Sequence, residues 1–107
     1  MTFARGLQPP YYAVIFSSQR QGEDAGYARM AERMVETARG QPGFLGIESA
    51  RDDQGFGITV SYWADAQAVK AWKQHSDHLG AQTLGRERWY AHYELRVARV
   101  ERSYDGP

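Results

Sequence analysis

FLGIESARDDQGFGITVSYW, residues 44–63, reads as two β-strands folded back on each other. Phe44 to Ala50 and Gly57 to Trp63 are short strand-favouring runs, and Asp52-Asp53-Gln54-Gly55 between them carries the chemistry of a tight turn. In the second run Ile58, Val60 and Tyr62 alternate with Thr59, Ser61 and Trp63, which is the period of a strand. The middle of the chain is therefore an antiparallel hairpin.

Working outward, each side of the hairpin carries a helix and then a strand. Upstream, Tyr27, Met30, Ala31, Met34, Val35 and Ala38 recur at helical spacing, with Arg29, Glu32, Arg33 and Glu36 on the opposite face. Asp24 is a plausible N-cap, and Gly40 with Pro42 gives the stop. Before that helix, Tyr11 to Ser18 is a β-favouring apolar run, delivered by an extended leader over residues 1–10 that ends in Pro9-Pro10. Downstream, Asp65 caps a helix running through Val69 and Trp72 to about Gln74. Ser76-Asp77 reads as a fresh N-cap, so a short further helix is expected from His78 to about Gly85. The last signal is a long strand from Trp89, with Trp89, Ala91, Tyr93, Leu95 and Val97 on one face and His92, Glu94 and Arg96 on the other. Residues 103–107 form a tail.

The order β-α-β-β-α-β predicts an α+β, ferredoxin-like fold: an antiparallel sheet with both helices on one face, in a single domain spanning residues 1–107. Two features predict a partner. Strand one is apolar on both faces, with Tyr12, Val14 and Phe16 against Tyr11, Ala13 and Ile15, whereas a sheet with one wet face shows polar alternation. The last strand, if it continues to Arg102, would extend about 45 Å at roughly 3.3 Å per residue, against a radius of gyration of about 13 Å for a domain of this size. A symmetric homodimer satisfies both.

Composition narrows the functional classes. Thirteen basic residues balance thirteen acidic ones, so no net field gathers nucleic acid or an anionic membrane. The chain contains no cysteine, which excludes disulfides, a thiolate nucleophile and Cys-built metal centres. No apolar run approaches the roughly 20 residues that span a bilayer, and no secretory stretch follows Met1, so a cytoplasmic address is expected. A glycine-rich dinucleotide fingerprint, a P-loop and a Gly-x-Ser-x-Gly elbow are all missing. What stands out is aromatic content of 13%, clustered enough to build either a core or a flat-ligand pocket.

Tyr62-Trp63-Ala64-Asp65, Ala71-Trp72-Lys73, His75, His78, Ala81-Gln82, Gly85-Arg86-Glu87-Arg88-Trp89-Tyr90 and the closing strand resemble the antibiotic biosynthesis monooxygenase (ABM) domain, from about Tyr11 to Tyr104. The resemblance implies a dimeric α/β barrel. For chemistry it implies several branches: cofactor-free aromatic monooxygenases, haem-degrading enzymes and signalling proteins. The haem-degrading branch carries an Asn on the first strand, a Trp on the second long helix and an axial His about ten residues later. Here Trp72 matches, but Gln82 stands at the His position and Ser17 and Ser18 replace the Asn.

The cofactor-free branch implies a small aromatic or quinol-like ligand, an apolar slot, a base, and donors that stabilise an electron-rich anion able to reduce dioxygen without metal or flavin. A phenol and a histidine differ in proton affinity by about 4.8 kcal/mol, which hydrogen bonds or positive charge beside the anion must supply. On this reading His78 is the base and Arg86 the positive charge. Trp72, Tyr62 and Trp89 line the slot, Phe16 closes its floor, and His75 stands near the ligand. Plainer readings stay open: Trp72 as core, His78 as a surface histidine near a helix start, Arg86 as a solvated charge, and His75 with His78 as an incomplete metal pair. A ligand-sensing dimer without turnover uses the same pocket.

Overall fold

The computed structural model describes residues 2–22, 26–78 and 89–107, apart from the side chains at 77 and 78. It contains β1 (Tyr11–Arg20), α1 (Tyr27–Arg39), β2 (Phe44–Arg51), β3 (Phe56–Trp63), α2 (Ala66–His78) and β4 (Tyr90–Val100). The strands form one antiparallel sheet in the order β2-β3-β1-β4, the ferredoxin-like arrangement expected from the element order.

Local chemistry sets the turns. Asp52 Oδ1 accepts hydrogen bonds from the backbone N–H groups of Gln54 and Phe56, both at 2.9 Å, and Gly55 takes φ 92°, closing the β2–β3 hairpin. Gly43, at φ 83°, lets the chain leave α1 and enter β2 beside α2. A Cβ there would stand 2.6 Å from that of Ala68, so only glycine fits. At the start of α2, Asp65 Oδ1 accepts from Ala68 N–H at 2.8 Å. Asp65→Ala is expected to cost about 1 kcal/mol, measurable as a lower urea midpoint at unchanged slope.

Three expectations are corrected. The break after Gln74 does not occur: Ser76 is buried, and its hydroxyl donates back to the Lys73 carbonyl at 2.9 Å, so it sits inside α2 instead of capping a new helix. The further helix to Gly85, like the Asp24 cap, lies outside the described residues. The last strand stops at Val100, and β1 is longer than its apolar run, so the two match from Tyr11↔Val100 to Arg20↔Tyr90 and β4 does not overhang. Finally, the β1–β4 register shifts between Gln19 and Arg20: Gln19 pairs with His92 and Arg20 with Tyr90, leaving Ala91 as an extra residue. This bulge breaks the expected alternation, so Tyr90, not Ala91, shares a face with Tyr93.

One face of the sheet meets the helices. Val14, Ala38 and Trp63 form the buried centre there, with Phe44, Ala68, Val69 and Trp72 packed around them. Trp63 is 0% exposed, stacks on Trp72 with ring centroids 5.6 Å apart, and donates its indole N–H to Ser61 Oγ at 2.9 Å. The opposite face presents Ile15, Val60, Ile58 and Phe56, the last two 43% and 47% exposed. The leader crosses this outer face at β2. Ala4 N–H donates to Glu48 Oε2 at 3.0 Å, and Gly46 provides the space for the Ala4 methyl.

Candidate functional site

Between the helices and the sheet lies a cavity of about 600 Å³. Its origin is readable residue by residue. Among the helix-facing positions of β2 and β3 beneath it, Ser49, Thr59 and Ser61 are too small to fill the space under Met30, Met34 and Val35 of α1. Their polar groups largely satisfy one another or the core: Ser49 and Thr59 share a 2.6 Å hydrogen bond, and Ser61 accepts from Trp63. The floor is thus roomy without being strongly polar. Val69 and Trp72 of α2, with Leu95 and Val97 of β4, complete an apolar wall.

A chain of ring contacts closes one end. Trp89 meets Tyr27 edge-on at 5.6 Å, Tyr27 meets Tyr90 at 5.8 Å, Tyr90 meets Phe16 at 5.4 Å, and Phe16 meets Tyr93 at 5.4 Å. Arg51 reaches this end from the last position of β2. Its Nη2 donates to Tyr27 Oη at 3.2 Å and Ser18 Oγ at 2.8 Å, and its Nη1 donates to the carbonyls of Ser18 and Gly55 at 3.2 and 2.6 Å. Tyr90 Oη also donates to Tyr27 Oη, at 3.3 Å. Burial, followed by that hydrogen bond, pushes the Tyr90 phenol well above the ordinary tyrosine range, against the opposing pull of Arg51 and Arg20. Tyr90 therefore stays a neutral donor at any physiological pH.

The residues selected from sequence divide. Phe16, Trp72 and Trp89 line the cavity together. Tyr62 does not: it projects from the outer face, packs edge-on against Tyr11 at 5.7 Å and donates to Glu48 Oε1 at 2.6 Å. Burial and that carboxylate raise its phenol pKa. The physical reason is phase, since Trp63, Ser61 and Thr59 hold the helix-facing positions of β3. His75 is exposed and stacks on Trp72 at 6.2 Å, outside the lining. The side chain of His78 and all of Arg86 lie outside the described residues. Among the described residues no three His, Asp or Glu side chains converge as a metal site.

Sequence reasoning missed Tyr27, Arg51 and Tyr90. Arg51 had a signal: it is in phase with Ile47 and Ser49, so the alternation of β2 already places a cation on the helix side. Tyr27 was legible only as core-facing, and Tyr90 was hidden by the bulge.

A ferredoxin-like sheet with an aromatic cavity under its helices defines the class, and sequence comparison agrees. Residues 10–84 match the family model for antibiotic biosynthesis monooxygenase, and the chain belongs to that family. It is 54% identical over 95 residues to the uncharacterized protein YqjZ of Bacillus subtilis (strain 168), an alignment covering 89% of this chain and 83% of that one. Among solved structures it is similar to SnoaB, a cofactor-independent oxygenase from Streptomyces nogalater, with TM-score 0.74 and 15% identity over 89% of this chain and 97% of that one. It is also similar to a putative antibiotic biosynthesis monooxygenase from Nitrosomonas europaea, with TM-score 0.70 and 15% identity over 90% and 95% of the two chains. At these identities the structural likeness speaks to the fold.

Proposed function

We propose that the protein is a cofactor-independent monooxygenase that oxidises a small aromatic or quinol-like molecule bound in the cavity. The observation that carries this reading is the 600 Å³ space itself, walled by aromatic and aliphatic side chains with donors at one end, in a chain of the monooxygenase family. The chemistry needs a substrate whose anion reduces dioxygen. A base removes a proton from an activated ring CH₂, the carbanion passes an electron to O₂, and the resulting radicals combine into a peroxide at carbon. Loss of water then leaves a carbonyl, so CH₂ and O₂ become C=O and H₂O. In this proposal Phe16, Trp72 and Trp89 hold the ring, His78 is the base, and Arg86 supplies positive charge to the anion.

Oxygen uptake with a panel of anthrones and hydroquinones tests the reading. Turnover is expected with at least one of them, falling by about 10²-fold or more in His78→Ala. Thermal stabilisation by the same compounds without oxygen uptake would instead favour a ligand-sensing protein, and a Soret shift on mixing with hemin would favour haem handling.

The working unit we propose is a homodimer formed through the outer sheet face. Ile15, Ile58, Val60 and Phe56 make an apolar surface there that the helices of the same chain cannot reach.

A further inference from the structure

We propose that the end of the cavity bounded by Tyr27, Arg51, Trp89 and Tyr90 is an anion subsite that binds a carboxylate on the aromatic ligand. The inference takes the ligand site of the proposed function as its starting point and adds a substrate class to it, a flat aromatic acid.

Three observations converge. The first is the direction of the hydrogen bonds. Tyr27 Oη accepts from both Arg51 and Tyr90, so its acceptor positions are filled, and its own O–H has no acceptor among the described residues. The second is Trp89, 4% exposed, whose buried indole N–H has no partner among the described residues. Buried donors are rarely left unmatched, and Trp89 is one of the residues that line the cavity.

The third is charge. The Arg51 guanidinium makes four hydrogen bonds, all to neutral oxygens, so no carboxylate among the described residues neutralises it. The one carboxylate on the described lining, Glu32, is exposed and stands five residues along α1 from Tyr27, about 7.5 Å of helix rise. An end that carries the Arg51 charge, an unmatched O–H and an unmatched N–H, continuous with an apolar body, fits a planar two-oxygen acceptor joined to a ring.

Binding of matched probes tests this without turnover. Anthracene-2-carboxylic acid and its carboxamide share shape and differ in charge. By calorimetry at pH 7 the wild-type protein is expected to bind the acid at least tenfold more tightly than the amide. The preference should fall to within about threefold in Arg51→Gln and in Tyr27→Phe, because the acid loses more affinity than the amide. Tyr27→Phe removes only the hydroxyl, so it reads the subsite even if Arg51→Gln weakens the hairpin that Arg51 also supports. Equal binding of acid and amide, binding of neither, or an acid preference that survives both variants would overturn the subsite. Neutral quinols turning over while the acid shows no advantage would remove the subsite and leave the proposed function standing. A strong acid preference with no oxygen uptake on any substrate would do the reverse. Phenyl phosphate serves as a third probe: binding tighter than the acid would replace the carboxylate by a phosphate and overturn the assignment.

Discussion

Trp63→Ala is expected to destabilise the fold by about 3–5 kcal/mol, against a total of about 5–15 kcal/mol for a domain of this kind. Trp63 is the largest fully buried side chain among the described residues, and it holds three elements at once. Phe44 packs edge-on against it at 5.5 Å, Trp72 stacks on it, and Ser61 accepts its indole hydrogen bond. Removing the ring leaves a void between β3 and α2 and an orphaned hydroxyl on Ser61, which is itself buried. Trp63→Phe keeps most of the volume and is expected to cost less than about 2 kcal/mol. Urea unfolding followed by circular dichroism and fluorescence gives both values. A loss below about 1 kcal/mol for the alanine variant would mean that this contact set is not the centre of the core. Ligand binding should fall as well, because Trp72 forms part of the cavity wall and has lost the surface that fixes its plane.

Ile58→Lys separates folding from association. Ile58 lies on the outer face at 43% exposure, so the substitution is expected to change the stability of the single chain by no more than about 0.5 kcal/mol. In a two-fold symmetric pair each copy contributes its lysine, and the interface must accommodate both charges. Like charges brought together across an interface cost several kcal/mol, and each 1.4 kcal/mol is about tenfold in Kd, so dimerisation should weaken by about 100-fold or more. Sedimentation equilibrium at micromolar concentration is expected to move from twice the 12.1 kDa chain mass toward a folded monomer. A wild-type protein already sedimenting as a folded monomer would end the dimer proposal.

The element order and most boundaries could be read from sequence because hairpin, helix period and caps each have a local chemical signature. Where reading failed, one residue type had two physical uses. Ser76 can cap a new helix or bond back to the preceding turn, and only packing chooses between them. In β3 the alternation was correct, but its polarity misleads about direction. Hydroxyls at Thr59 and Ser61 look like a solvent face, yet they form the cavity floor, while Ile58 and Phe56 point outward. A chain that keeps empty space beneath its helices and apolar surface on its back inverts the usual rule for a half-wet sheet. That inversion is why Tyr62 was assigned to the pocket and Arg51 was overlooked.

The extra residue at Ala91 has a wider meaning for how such a pocket can diversify. Beyond it, Tyr93, Leu95 and Val97 keep step with Val14 and Phe16 and shape the greasy length of the cavity. On its other side, Tyr90 keeps a separate beat and belongs to the donor-rich cap. One strand thereby writes two independent cadences. A lineage could retune the cap without disturbing the wall, by gaining or losing a single codon instead of exchanging several side chains.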